Sequence, residues 1–279
     1  MSEPPRIYGI PATHAPIVAV LRRGPTAWTH LGRWDLARGA YEPGSWTHTT
    51  VYPQRCDLSP DGRWFCYFTL KVSARWTVGP TYNAISRLPW FTALAAWGTC
   101  GTWSRGLHFV DDRTIWQVPE PAAGDAAPCR ARYGLALTRP VSFAVERRRG
   151  WTETADTPPR DERDLWDERR AERVRMAKPR PRDGATRLVV GGGFAAFRES
   201  REWWKSEIRY ELVGPDGPAP LDDVQWADWA GDGSLLVATR DGRLQVRQGP
   251  PERLVVAWEH DLASLTPETA PPPAHAREW

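Results

Sequence analysis

Two copies of one tripeptide, Trp28-Thr29-His30 and Trp46-Thr47-His48, stand 18 residues apart (48 − 30) and hold side chains well suited to recognition chemistry. If they lie on neighbouring strands, two imidazoles and two indoles line one face, a site suited to a ring-shaped or cationic ligand. The competing and preferred reading gives the indoles to packing between sheets and points the imidazoles at solvent or a carbonyl. A metal centre needs a third ligand, and His14, His108, His260 and His275 offer no His-x-x-x-His spacing.

Other motifs read more weakly. Leu188 to Ala196 matches Gly-x-Gly-x-x-Ala after a strand, the pattern in which glycines admit a pyrophosphate to a helix N-terminus. No βαβ alternation surrounds it, so a glycine-rich bend is expected. Asp111-Asp112 and Asp222-Asp223 are paired carboxylates, but both sit in turn sequences, where Asp serves the backbone. There is no Gly-x-Ser-x-Gly, His-Glu-x-x-His or EF-hand pattern, and Cys56, Cys66, Cys100 and Cys129 form no Cys-x-x-Cys pair. Cys56 and Cys66 flank a tight turn and could pair across it in an oxidising compartment; a reduced, cytoplasmic protein is the expectation. No catalytic residue, cofactor or metal is assigned, and an enzyme assembled from distant segments stays open as the alternative.

Residues 146–187 hold 13 basic and 10 acidic side chains. Arg147-Arg148-Arg149 and Lys178 to Arg182 could contact phosphates, and Trp151 could stack on a base. The interleaved acids cancel most of that charge, as 34 acidic residues cancel most of the 37 basic ones in the whole chain, so nucleic acid is not the expected partner. Arg160 to Ala177 contains no Gly or Pro, with Thr157 placed as N-cap and Pro158 at the first helical position; a charged helical insertion is predicted around 155–180. Phe194 to Lys205 reads as a short helix or irregular crossing whose Trp203-Trp204 pair joins the recognition candidates.

The elements that must position these residues are strands. Cys56 to Phe68 is an apolar approach, a Ser-Pro-Asp-Gly turn and an aromatic departure, and Val224 to Val246 is three strands joined by two Asp-Gly turns. Leu107 to Val118 repeats the grammar more weakly. Ile17 to Leu21 and Thr29 to Leu36 are predicted as neighbouring strands, with a turn at Glu42-Pro43-Gly44-Ser45. With 17 Trp, 23 Gly and 27 Pro in 279 residues, the composition suits short strands broken by turns, with aromatics as core filler. The longest apolar run, 91–97, is broken by Thr92, so neither signal peptide nor membrane span is expected.

Leu21-Arg22-Arg23-Gly24-Pro25, Leu31 to Asp35, Arg55 to Gly62, Ala84 to Trp90, Thr92 to Trp97 and Trp226 to Trp229 together resemble a family of uncharacterised bacterial propeller-like proteins. The Ser-Pro-Asp-Gly element is similar to blade turns of WD-repeat and TolB-type propellers. The resemblance covers less than half the chain and implies a fold, not an activity. The expectation is an all-β, propeller-like domain over 1–279, with about five or six four-stranded blades, some incomplete, and a β-sandwich pair as the alternative. A Pro-rich tail occupies 266–279. The expected role is a non-catalytic binding module with another protein as partner and no membrane; the alternative is a small-ligand site at the channel mouth near Trp28, His30, Trp46 and His48.

Overall fold

A computed structural model describes residues 4–24, 27–70, 78–99, 101, 106–116, 124–136, 143–154, 174–192 and 208–279. These are all-β apart from two short helices and single 3-10 turns. They gather into two compact units, one of residues 1–9 with 141–265 and one of 10–140 with 266–279.

Five sheets are built almost entirely from strands consecutive along the chain. The first runs β1 (Arg6–Pro11), β2 (Ile17–Arg23), β3 (Thr29–Asp35) and β4 (Ala40–Thr47) in order. β2 is buried along its whole length and aliphatic from Ile17 to Leu21, as suits a strand covered on both faces, with Arg22 and Arg23 at its buried end. The second contains β5 (Thr50–Val51), β6 (Asp57–Leu58), β7 (Trp64–Leu70), β8 (Thr81–Arg87) and β9 (Ala93–Gly98). A third joins β10 (His108–Phe109) and β11 (Thr114–Trp116), while β12 (Gly124–Asp125) caps β9. Helix α1 (Ala127–Arg132) leads to β13 (Gly134–Ala136), which pairs with β11 in parallel. After helix α2 (Ala144–Arg148), the fourth sheet is β14 (Thr152–Glu153), β15 (Met176–Pro179), β16 (Arg187–Gly192), β17 (Ile208–Gly214) and β18 (Gly217–Pro220). The fifth is β19 (Val224–Trp229), β20 (Leu235–Thr239), β21 (Arg243–Gln248) and β22 (Val255–Asp261).

The turn chemistry is that of the sequence. Ser59 Oγ accepts the N–H groups of Arg63 and Trp64 at 3.1 and 2.9 Å, and Gly62 takes φ +74° beside Ile17, where a Cβ would come within 2.8 Å. Only glycine fits there without strain. Val224 to Gln248 forms the three strands and two Asp-Gly turns predicted for it. Of the indoles beside strand-like sequence, Trp34, Trp64, Trp97, Trp116, Trp226 and Trp229 are buried, as core-filling indoles should be, whereas Trp258 on the outer strand β22 is only half-buried.

Two expectations change, and the pairing of Cys56 with Cys66 that an oxidising compartment would have allowed is not seen. Residues 42–45 are not a turn but part of β4, whose pairing with β3 shifts by one residue between His30 and Gly32; the chain reverses at 36–39 instead. The predicted helix cannot reach Ala177, because Met176 pairs with Val190 and is fully buried in a cluster with Val174, Leu188 and Tyr210. The ends of 146–187 thus belong to α2 and to a core sheet, while 155–173 lies outside the described residues. Cys56 and Cys66 are buried thiols that are not joined in a disulfide. Cys66 sits opposite Asp57 rather than Cys56, and the two thiols donate to different carbonyls, Cys56 to Tyr52 and Cys66 to Leu107.

Candidate functional site

The repeated tripeptide is a palindrome in antiparallel register. Thr29 pairs with Thr47 and His30 with Trp46, which sets Trp28 against His48. Side chains alternate across a strand, so both Trp–His pairs emerge on one face and the threonines on the other. The Trp28 and His48 rings lie 5.1 Å apart at 69°, and the His30 and Trp46 rings 4.7 Å apart at 48°. Exposure is graded across the four: His30 is buried, Trp28 and Trp46 are half-buried and His48 is exposed.

Two further residues complete the cluster. Arg22 on β2 pairs with His30, and its guanidinium carbon stands 5.2 Å from the Trp46 ring centroid, a cation–π contact made while the arginine is 3% exposed and also donates to the Gly24 carbonyl. The Tyr41 hydroxyl and His30 Nδ1 share a hydrogen bond of 3.2 Å. Tyr41 lies over Gly32, where a Cβ would come within 1.9 Å of the phenol oxygen. Tyr41 and Trp46 are five residues apart (46 − 41) and would face opposite sides of a regular strand. The one-residue shift in β4 returns both to the His30 side. That bulge rests on the second sheet's loop: Ser45 N donates to the Pro89 carbonyl at 3.2 Å, and Phe91 N donates to Ser45 Oγ at 2.7 Å.

Burial, aided by the Arg22 guanidinium and opposed by a backbone hydrogen bond with Gly44, pushes the His30 imidazole down to about 4. The ring is neutral at physiological pH and enclosed. What the cluster offers outward is two half-exposed indoles and one imidazole held rigidly over a buried cation. That suits recognition of an apolar or aromatic group, because the face of Trp46 already carries the chain's own guanidinium.

The remaining candidates separate. Trp151 is a core residue, 6% exposed, whose indole N–H donates to Asp228 Oδ2 at 3.4 Å; it offers no open stacking platform. Trp203 and Trp204 lie outside the described residues. Gly191 and Gly192 are strand residues paired with Arg209 and Ile208 in an antiparallel sheet, not a phosphate-binding loop. Asp111 accepts the Arg113 N–H within its own turn, and Asp223 meets both terminal nitrogens of Arg247. Among the described residues, no group of three or more His, Cys, Asp and Glu is placed to hold a metal ion. Nor is any helix among them long and apolar enough to cross a membrane.

No family model matches the chain, and no curated protein matches it. Among solved structures, the uncharacterised protein lmo1340 of Listeria monocytogenes EGD-e aligns at 12% identity with a TM-score of 0.26. The alignment covers 92% of this chain and 55% of that one.

Sequence reasoning missed a second constellation. Asp228, 4% exposed at the side chain, receives Lys178 Nζ at 2.6 Å, its neighbour Trp229 N at 2.7 Å and the Trp151 indole. The fifth sheet is thereby fastened to the fourth. Asp57 does the same between the second and third sheets: one oxygen accepts Leu58 N at 2.9 Å and the other Phe109 N at 2.8 Å. Each aspartate stands four residues before the Asp of an Asp-Gly turn, at Asp61-Gly62 and Asp232-Gly233. That shared spacing, Asp-x-x-x-Asp-Gly, is the signal that could have found the pair. Lys178, a phosphate contact in the nucleic-acid reading, is bound to Asp228.

Proposed function

We propose that this chain is a non-catalytic binding module of propeller-like build, cytoplasmic, whose recognition surface is the aromatic rim of β3 and β4 and whose partner is another protein. The observation that carries the reading is the register that seats Trp28 against His48 and Trp46 against His30 with both indoles half-exposed. Trp and Arg anchors around which apolar partner groups can close are the residues that dominate protein interfaces. A small cationic ligand is the weaker occupant, since Arg22 already takes the Trp46 face.

The propeller-like build is supported by sheets of consecutive strands, five in number where five or six blades are expected. It is supported too by the gradient of exposure in the first and fifth sheets, from the buried β2 and β19 to β4 and β22, which carry no buried residue. The test is selection from a displayed random-peptide library against the full chain and against Trp46→Ala and Trp28→Ala. Enriched peptides should lose about 30-fold in affinity with either variant, the size of a 2 kcal/mol hot spot, and should shift the indole N–H resonances of Trp28 and Trp46. Peptides that bind both variants as well as the unsubstituted chain would overturn the assignment.

A further inference from the structure

We propose that residues 273–279 are a tethered ligand, filling within one chain an arginine–tryptophan clamp that accepts an acidic, tryptophan-bearing peptide of a partner protein once they lift. The clamp is a surface distinct from the β3–β4 rim and does not depend on it. Its floor is Trp64 of β7, which pairs across the sheet with Arg87 of β8. The guanidinium carbons of Arg63, Arg87 and Arg132 stand 5.4, 5.5 and 4.5 Å from the Trp64 ring. Trp279 lies 5.5 Å from Trp64 at 47°, and Arg132 is 5.5 Å from Trp279, so one guanidinium is held between two indoles.

The hold is thin for a segment of this length. Of residues 266–279 only Ala276 is buried, and the stretch contributes no strand. Among the described residues, its hydrogen bond to the rest of the chain runs from Arg87 Nη1 to the His275 carbonyl at 3.1 Å. What it covers is far more enclosed: Trp64 is 2% exposed with the segment in place. Trp64 belongs to a core cluster and Trp279 packs against it, so lifting the segment takes one indole away from the edge of Trp64 and from Arg132 and leaves a cation-ringed seat for another aromatic. The charges say which kind. Asp61 offsets Arg63 at 4.0 Å, and the segment sets Glu278 beside its own Arg277, so the clamp keeps surplus positive charge that an acidic peptide would neutralise.

The probe is a labelled synthetic peptide with the sequence of residues 273–279, titrated against the full chain and against full-length Trp279→Ala. The vacated clamp should bind with a Kd of about 0.1 mM, the strength of a single aromatic anchor. The unsubstituted chain should bind about tenfold more weakly, because a tethered competitor acts at roughly millimolar effective concentration. A peptide carrying Arg277→Glu should bind several-fold tighter, one carrying Trp279→Ala should not bind, and adding Arg132→Ala to the protein should abolish binding. Ala276→Asp serves as a second release variant should Trp279→Ala melt at a lower temperature. Equal binding to the unsubstituted and released chains, or no binding to a released chain that keeps its melting temperature, would overturn the proposal. So would a more acidic peptide that binds no tighter, or a concentration-dependent dimer of the unsubstituted chain that exchanges the segments, which would make a second copy the occupant.

Discussion

Replacing Lys178 with Met should destabilise the unit of residues 1–9 and 141–265 by about 3 kcal/mol, because Asp228 is then left as a buried carboxylate without its counter-ion. The magnitude comes from the geometry. The side chains of Lys178 and Asp228 are 14% and 4% exposed and meet at 2.6 Å, which places the pair among buried ion pairs, where losing one partner costs about 3–5 kcal/mol. Two features hold it to the low end: Trp229 N and the Trp151 indole keep donating to the carboxylate, and a rim of solvent reaches Lys178. Asp228→Asn alone should cost about 2 kcal/mol, since the ammonium can reach water. The double variant should cost no more than that, because an uncharged amide keeps a carbonyl oxygen for Trp229 N and no charge is left unpaired. The cycle then yields a coupling of about 3 kcal/mol. Urea denaturation followed by tryptophan fluorescence reads the free energies, and a thermal melt should show the single Lys178→Met change as a drop of about 6–12 °C. Additive single changes, or a loss below about 1 kcal/mol for Lys178→Met, would refute the reasoning.

Three further outcomes are expected. His30 is held at about 4 in the folded chain against about 6.5 when unfolded, so its contribution is complete above pH 6.5 and falls as the unfolded state gains the proton. Between pH 7 and pH 4.5 the unsubstituted chain should lose about 2.5 kcal/mol more than His30→Gln, by urea denaturation at the two pH values; parallel losses would show that His30 is not the titrating group. Gly62→Ala should cost about 2 kcal/mol, from its positive φ and the approach of Ile17, where a neutral effect on the melt would contradict the turn geometry. Cys56, Cys66 and Cys129 are buried, and burial pushes the Cys129 thiol up to about 12 and Cys56 higher still, so native protein at pH 8 should titrate with at most one thiol per chain before denaturant is added.

Local chemistry was legible. The Asp-Gly turns fix their own backbone through side-chain acceptors and glycine φ, so the hairpins around 61, 232 and 241 could be read from six or seven residues each. The tripeptide pairing was legible as a condition, because residue type and period 2 determine which side chains share a face once two strands are adjacent. Nothing decided by a partner far along the chain could be read. Arg22 looks like the end of an aliphatic strand until β4 supplies Trp46, and Lys178 looks like part of a charged tract until Asp228 arrives fifty residues later. Val174 and Met176 fell within the stretch predicted as a charged helix, because the sheet they serve is completed only by β16 and β17 further along the chain. The turn expected at 42–45 had suitable residues, but Pro43 and Gly44 are used to bend an edge strand, a setting in which both also discourage pairing with another chain.

The bulge in β4 makes the aromatic rim a matter of count as much as of composition. Tyr41 on one side of it and Trp46 on the other share a face only because one residue is set aside between them, much as a reading frame is kept by the number of letters. Gly44 is itself constrained, since a Cβ there would come within 1.9 Å of the Pro89 carbonyl oxygen; removal of one residue between Glu42 and Trp46 goes further, because every side chain beyond it would exchange faces, with the threonines brought outward and Trp46 and His48 turned away from His30. A change of residue at 44 or 45 strains one contact with the neighbouring loop, whereas a change in their number inverts the whole face.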